Sequence, residues 1–220
     1  MTSLLVLVEG QTEEAVINRL LKPTLAARDV HARPVIVQTQ ARPGQGGMRG
    51  GGRWRDWRAH LARLVQHPIP GQYVTTLFDL YGLPGDFPRY DLHMKTLDTQ
   101  RRVEQVEEEI ATAFPTATQL VPYVQRHELE ALLLVSRAPL ERRFPRAQVN
   151  DLWRDLGKCG PEDVNGGAES APSKRLLRHL KDFKKTVHGP AVLEEVGLPA
   201  IRAACPRFDA WVRRLEGLGT

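Results

Sequence analysis

A chain of 220 residues with 41% hydrophobic and 26% charged side chains can build a packed core, and disorder is not its default. No apolar run approaches the ~18–20 residues that span a bilayer, and two cysteines exclude a disulfide framework or a cysteine-rich zinc site. A formal net charge of +5 makes polyanions reasonable partners, though many proteins this basic bind no nucleic acid.

The chain opens Met1-Thr2-Ser3-Leu4-Leu5 and meets Glu9 almost at once. It lacks the basic, long apolar and small-residue regions of a signal peptide, so the cytoplasm is the expected location. Leu4 to Val8 is a continuous apolar run of strand length, as expected for a strand buried on both faces. Gly10 permits a tight turn, and Thr12 is placed to cap a helix whose first turn holds Glu13 and Glu14. Val16, Leu20 and Leu21 give that helix its buried stripe, and it ends near Arg28. Pro34 to Thr39 reads as a second strand, Gly44 to Gly52 as a flexible loop, and Trp54 to Val65 as a helix with Leu61, Leu64 and Val65 inward.

Tyr73 to Phe78 reads as a third strand stopping at Asp79, followed by a loop rich in Gly and Pro up to Tyr90. Thr99 to Phe114 reads as a helix, Leu120 to Val124 as a fourth strand, and Glu128 to Val135 as the start of another helix. Strands alternating with helices call for a mostly parallel sheet covered on both sides. Beyond residue 136 the strand signal vanishes and short helices punctuated by Pro and Gly follow. The expected organisation is an α/β domain over 1–135 with a helical C-terminal extension over 136–220 packed on it.

Ligands of open parallel sheets gather beyond the carboxyl ends of the strands. Glu9 follows the first strand, Asp79 ends the third, Asp86 lies a few residues on, and Glu128 and Glu130 follow the fourth. Carboxylates converging on one sheet edge repel one another without a cation, so Mg²⁺ or Mn²⁺ is expected among them, suited to phosphoryl transfer or phosphodiester cleavage. Each acid taken singly also reads as an ordinary cap. His127 reads either as a proton shuttle or as a structural partner of Glu130, the second being preferred.

Basic residues form two groups. Arg42, Arg49, Arg53, Arg55 and Arg58 surround a glycine-rich stretch with Trp54 and Trp57. Lys174, Arg175, Arg178, Lys181, Lys184 and Lys185 lie on a predicted helix. Ser173-Lys174-Arg175 follows Pro172 where a helix should begin, which would suit a phosphate as well as an ordinary basic helix start. Arg49 and Arg53 are the corresponding candidates in the first group. Tryptophans three apart on a helix are more often core than base-stacking platforms, and Trp153 and Trp211 read as core too.

VEGQTEE (Val8 to Glu14) resembles the opening motif of Toprim-like proteins, including the overcoming-lysogenization-defect nucleases. Together with DLYGLPGDFP (Asp79 to Pro88), HELEALLL (His127 to Leu134), APSKRL (Ala171 to Leu176) and GLPAIRAACPRFDAW (Gly197 to Trp211), it resembles domain of unknown function 4276, a bacterial family grouped with Toprim-like folds. The resemblance spans nearly the whole chain. It implies a Toprim-like parallel sheet with a glutamate after the first strand, a place taken by Glu9, and an Asp-x-Asp pair after a later one. Asp79 takes the first aspartate's place and Tyr81 stands at the second, which puts a two-metal arrangement in doubt; Asp86 could replace the missing ligand. Glu128 or Glu130 resembles the further acidic position of nuclease-type relatives. The resemblance thus implies a Mg²⁺-dependent nuclease acting on nucleic acid, serving in anti-phage defence beside an ATPase. A second reading is a non-catalytic module that partners such an ATPase, and a third is a small-molecule phosphate or nucleotide binder at the sheet edge.

Overall fold

The computed structural model describes residues 1–37, 52–164 and 170–219. Its centre is a parallel sheet in the order β2-β1-β3-β4, built from β1 (Thr2–Val8), β2 (Val30–Ile36), β3 (Gln72–Asp79) and β4 (Leu120–Val121). A further short strand, β5 (Val124–Gln125), also pairs with β3. The apolar run in β1 is continuous because both faces are covered. Leu4, Val6 and Val8 join one core and Leu5 and Leu7 the other.

On the first face lies the helical stretch after β1: α1 (Gln11–Val16), a π-helical segment (Ile17–Leu21) and α2 (Lys22–Ala26). Val16, Leu21 and Leu25 from this stretch are buried. On the second face lie α3 (Trp54–Val65), α4 (Tyr90–Lys95) and α5 (Thr99–Thr112), with Trp57, Leu61, Val103, Val106 and Ile110 packed against Val74 and Phe78. The helices after residue 136 are α6 (Ala138–Glu141), α7 (Arg146–Leu156), α8 (Pro172–His179), α9 (Lys185–Val196), α10 (Leu198–Ala204) and α11 (Pro206–Glu216). They share the first core: Leu152, Leu176, Val192, Ile201, Phe208 and Val212 are buried with Leu4 and Val6. Trp211 stacks on Tyr123 at 4.3 Å and donates its indole N–H to Thr75 Oγ1 at 3.0 Å, which satisfies two polar groups inside the sheet.

The α/β architecture expected from the sequence is therefore present: a parallel sheet flanked by helices, with helices as the only regular elements after β5 among the described residues. Four local expectations need correction. β2 begins at Val30 rather than Pro34, because its register with β1 runs the full length from Thr2↔Val30 to Val8↔Ile36. Exposed His31 and Arg33 hid it, and Pro34 is tolerated because β2 is an edge strand. The fourth strand is split at Pro122, where Tyr123 donates its N–H to Thr76 Oγ1 instead of to a ladder carbonyl. The first helix is capped by Gly10 without a side chain, so Thr12 is not its cap. Leu129–Val135 is a 3₁₀ helix, not an α-helix. The loop expected over Gly44 to Gly52 falls, but for Gly52, outside the described residues.

Trp54 and Trp57 are core residues: Trp54 meets Phe87 edge-on and Trp57 lies 4.4 Å from the ring of Phe78. Trp57→Ala should therefore lower unfolding free energy by about 3–5 kcal/mol in denaturant titration. A loss under about 1 kcal/mol, the usual size for a surface change, would show that this helix does not seal the second face.

Candidate functional site

Chain direction across the sheet reverses at β1. The path goes from β1 out to β2 on one side, then back over β1 to β3 on the other, so the switch point lies at the carboxyl ends of β1 and β3. A crevice forms at such a point because the crossing helices leave on opposite faces. Glu9 directly follows β1 and Asp79 is the last residue of β3, so the topology delivers both acids to that crevice.

The two residues meet there. Asp79 donates its backbone N–H to Glu9 Oε1 at 2.6 Å, and Leu129 donates its backbone N–H to Asp79 Oδ1 at 2.9 Å. The second oxygen of each carboxylate has no hydrogen-bond partner among the described residues. Around them opens a cleft of about 320 Å³ lined by Glu9, Glu13, Asp79, Tyr81, Glu128, Glu130 and Lys185, with glycine on both sides. Gly82 is required there: a Cβ at this position would stand 2.5 Å from Glu9 Oε2.

Glu128 and Glu130 reach the cleft already engaged. Ser173 donates its backbone N–H and its hydroxyl to the two oxygens of Glu128, at 2.7 and 2.9 Å. The N-terminus of α8, read from the sequence as a phosphate site, is thus occupied by the protein's own carboxylate. Glu130 is buried and pairs with Lys185 Nζ at 3.1 Å. Five carboxylates and one ammonium therefore share the cleft.

Burial pushes the Glu9 carboxyl up to about 8, opposed by the Asp79 N–H and reinforced by the charges of Glu13 and Glu130. Burial also lifts Asp79 well above the ordinary carboxylate range, with Glu9, Glu13, Glu130 and Glu128 adding repulsion. Glu13 and Glu130 are raised by burial as well, Glu130 less freely because Lys185 attracts its charge. Burial would lower Lys185, but Glu130 and Glu128 outweigh it and hold the ammonium above its usual value.

Tyr81 turns away from a ligand role. Its backbone N–H goes to the His127 carbonyl at 3.2 Å, and its hydroxyl lies 3.3 Å from His127 Nδ1. His127 is fully buried in a left-handed conformation (φ 65°), with Nε2 3.1 Å from the Glu162 carbonyl. A carbonyl only accepts, so Nε2 carries the proton and Nδ1 accepts from the Tyr81 hydroxyl. Burial, aided by Arg126, lowers the imidazole to about 4, so it stays neutral near pH 7. That supports the structural reading of His127 over the shuttle, although its partners are Tyr81 and Glu162 and not Glu130.

The structure thus brings together Glu9, Asp79, Glu128 and Glu130. It does not bring Asp86 to them: that carboxylate accepts the Trp54 N–H at 2.7 Å, at the start of α3. Arg53 is exposed beside the same helix start. Lys174 is exposed, whereas Arg175 is engaged by Asp155 and by the Ser170 carbonyl. The single helix expected for the second basic group is two: Lys174, Arg175 and Arg178 lie on α8, which ends in extended backbone at Leu180, and Lys185 begins α9. Arg49 lies outside the described residues. Sequence reasoning missed Glu13, Gly82 and Lys185 as site residues. Glu13 had a signal, lying one helical turn beyond Glu9; Lys185 had none among so many basic residues.

The family model described as Domain of unknown function (DUF4276) matches residues 8–216. The chain belongs to this family. No curated protein and no solved structure matches it.

Among the described residues, no set of three or more His, Cys, Asp or Glu side chains is arranged to hold a metal ion. The fit of Mg²⁺ or Mn²⁺ rests on a smaller donor set, one uncommitted oxygen each on Glu9 and Asp79. Mg²⁺ commonly takes one or two protein carboxylates, with water and substrate phosphate completing its shell. Two acids raised chiefly by burial, and further by the charges of neighbouring carboxylates, suit such a cation.

The upward shift of Glu9 fixes a pH dependence. The folded state keeps a proton that the unfolded chain releases near 4.5, so this contribution to stability is full below that value and is lost as pH rises through about 8. Glu9→Gln removes the loss. Its melting temperature should match wild type near pH 4.5 and exceed it above pH 8 by several degrees, at roughly 2–4 °C per kcal/mol for this size. Parallel melting curves at both ends of the range would show that Glu9 is not under this strain.

Proposed function

We propose that the chain is a metal-dependent phosphoryl-transfer protein of Toprim-like kinship, a nuclease acting on nucleic acid in the cytoplasm with Glu9 and Asp79 at its centre. One observation carries the reading: at the switch point of a parallel sheet the Glu9 carboxylate accepts the backbone N–H of Asp79, seventy positions away, and each acid keeps one oxygen without a hydrogen-bond partner among the described residues. Such proximity of carboxylates is unfavourable in itself and serves chemistry that needs it. The VEGQTEE likeness and the family membership agree with this but name no activity.

Glu9 and Asp79 would hold Mg²⁺ or Mn²⁺ through their uncommitted oxygens. When bound, the cation would neutralise charge on a phosphoryl oxygen. Without the cation the Glu9 carboxyl stands near 8, so uptake of the ion near neutrality would release a proton from it. Lys185 contributes the cleft's ammonium, held by Glu130 and placed to attract a phosphate that the acids would otherwise repel. Exposed Arg53, Arg55 and Lys174 provide positive surface for a nucleic-acid backbone.

Purified protein incubated with DNA and RNA in Mg²⁺ or Mn²⁺ should cleave at least one of them. Glu9→Gln and Asp79→Asn should each reduce the rate about 10²-fold or more, the range for removing a positioned acid–base group. Gly82→Ala should behave like Glu9→Gln, since its methyl group would displace that carboxylate. Equal rates in wild type and the Glu9 and Asp79 variants overturn the assignment.

A second reading is a non-catalytic module that partners an ATPase, as in anti-phage defence systems. Its specific support is Tyr81 at the second aspartate position, bound to His127, with Glu128 and Glu130 engaged elsewhere. Calorimetric titration with Mn²⁺ separates the two readings: the module takes up no ion at a defined site, whereas the enzyme does and loses it in Asp79→Asn.

A further inference from the structure

A hollow of about 570 Å³, larger than the carboxylate cleft, opens where α5, the break at Pro122–Tyr123, the turn Pro161–Asp163 and α11 meet. Three arginines line it. Arg126 comes from the turn after β5, and Arg207 and Arg214 stand two turns apart on one side of α11.

The acids in the same wall are engaged. Glu162 accepts the backbone N–H groups of Arg207 and Phe208, at 3.1 and 3.0 Å, at the start of α11. Glu107 accepts the Val124 N–H at 2.7 Å and pairs with Arg207; Asp163 pairs with Arg126 at 3.2 Å. The guanidinium groups are not correspondingly satisfied. Each carries five N–H donors in a planar fork. Arg207 gives one nitrogen to Glu107 and its face to the Tyr123 ring, 5.3 Å away, while Arg126 gives one nitrogen to Asp163. The Nε of both is buried without an acceptor, and Arg214 has no ion pair, among the described residues. Together the three guanidinium groups bring to the hollow more N–H donors than the acids of its wall take up. A carboxylate offers two oxygens to such a set; a phosphoryl group offers three and more charge. Pro122 and Trp211 add apolar wall to the same hollow. Its volume falls within the ~300–1,000 Å³ of small-ligand sites.

We propose that this hollow binds a small organic phosphate of mononucleotide size, its phosphoryl group on Arg126, Arg207 and Arg214 and its body against Pro122 and Trp211. The site is separate from the Glu9–Asp79 cleft and does not depend on its chemistry.

The test uses the full chain, adenosine monophosphate, inorganic phosphate and adenosine at constant ionic strength, read by calorimetry and thermal unfolding. Adenosine monophosphate should bind saturably and raise the melting temperature, inorganic phosphate should bind more weakly, and adenosine should do neither. Arg207→Gln also disturbs Glu107, so the decisive variant is Arg214→Gln at the exposed rim. It should melt as wild type does and bind adenosine monophosphate about tenfold more weakly, the effect of one charged hydrogen bond. Glu9→Gln should bind as wild type does. No saturable binding of adenosine monophosphate, binding of adenosine as tight, inorganic phosphate binding as tight, or unchanged affinity in Arg214→Gln each overturns the proposal. So does loss of binding in Glu9→Gln, which would put the ligand in the other cleft.

Discussion

Five carboxylates crowd against one ammonium at the carboxyl ends of β1 and β3, and the surrounding structure is arranged to contain that imbalance. Burial and like charge both disfavour ionisation, so the acids could not remain without donors of their own. The donors come in sequence from successive elements. The last residue of β3 supplies an N–H to Glu9, the 3₁₀ helix after β5 supplies one to Asp79, α8 supplies two groups to Glu128, and α9 supplies an ammonium to Glu130. Each bond fixes a carboxylate and also ties one element to the next. The site and the packing of the helices around it are therefore one problem.

Arg126, His127 and Glu128 show how tightly that problem is solved. Three consecutive residues face three environments: the arginine hollow, the interior and the carboxylate cleft. The left-handed backbone at His127 makes this possible, and for a residue with a Cβ such a conformation persists only where the surroundings hold it. Here the Glu162 carbonyl and the Tyr81 hydroxyl hold the ring from both nitrogens. Tyr81 is consequently part of the scaffold that aims Glu128 into the cleft.

Much of this was legible in the sequence. Strand–Glu–Gly at Val8 to Gly10 and the β-branched strand ending in Asp79 announced both the sheet and its two central acids, because strand length, apolarity and a following turn are local properties. Glu128 and Glu130 were legible as acids near the last strand, but their engagement was not. Whether a carboxylate is open or committed depends on Ser173 and Lys185, which reach it only through the packing of α8 and α9. Asp86 misled for the same reason: its nearness to Asp79 in sequence says nothing of the Trp54 N–H that claims it. β2 was shifted because an edge strand with exposed His31 and Arg33 does not carry the apolar signature of a central one.

The order in which the acids are satisfied bears on what the cleft can do. Glu128 receives donors on both oxygens and Glu130 pairs through one with Lys185, all from the helical half of the chain. Glu9 and Asp79 receive only backbone N–H groups from within the α/β part, one each, and these leave half of each carboxylate unanswered. That pair stands at the switch point, where a ligand can approach the ends of both β1 and β3. A bound cation would relieve that pair without competing with any contact that holds the helices in place. Metal binding and fold integrity would then be separable in this protein, because the oxygens that bind and the oxygens that brace are different ones.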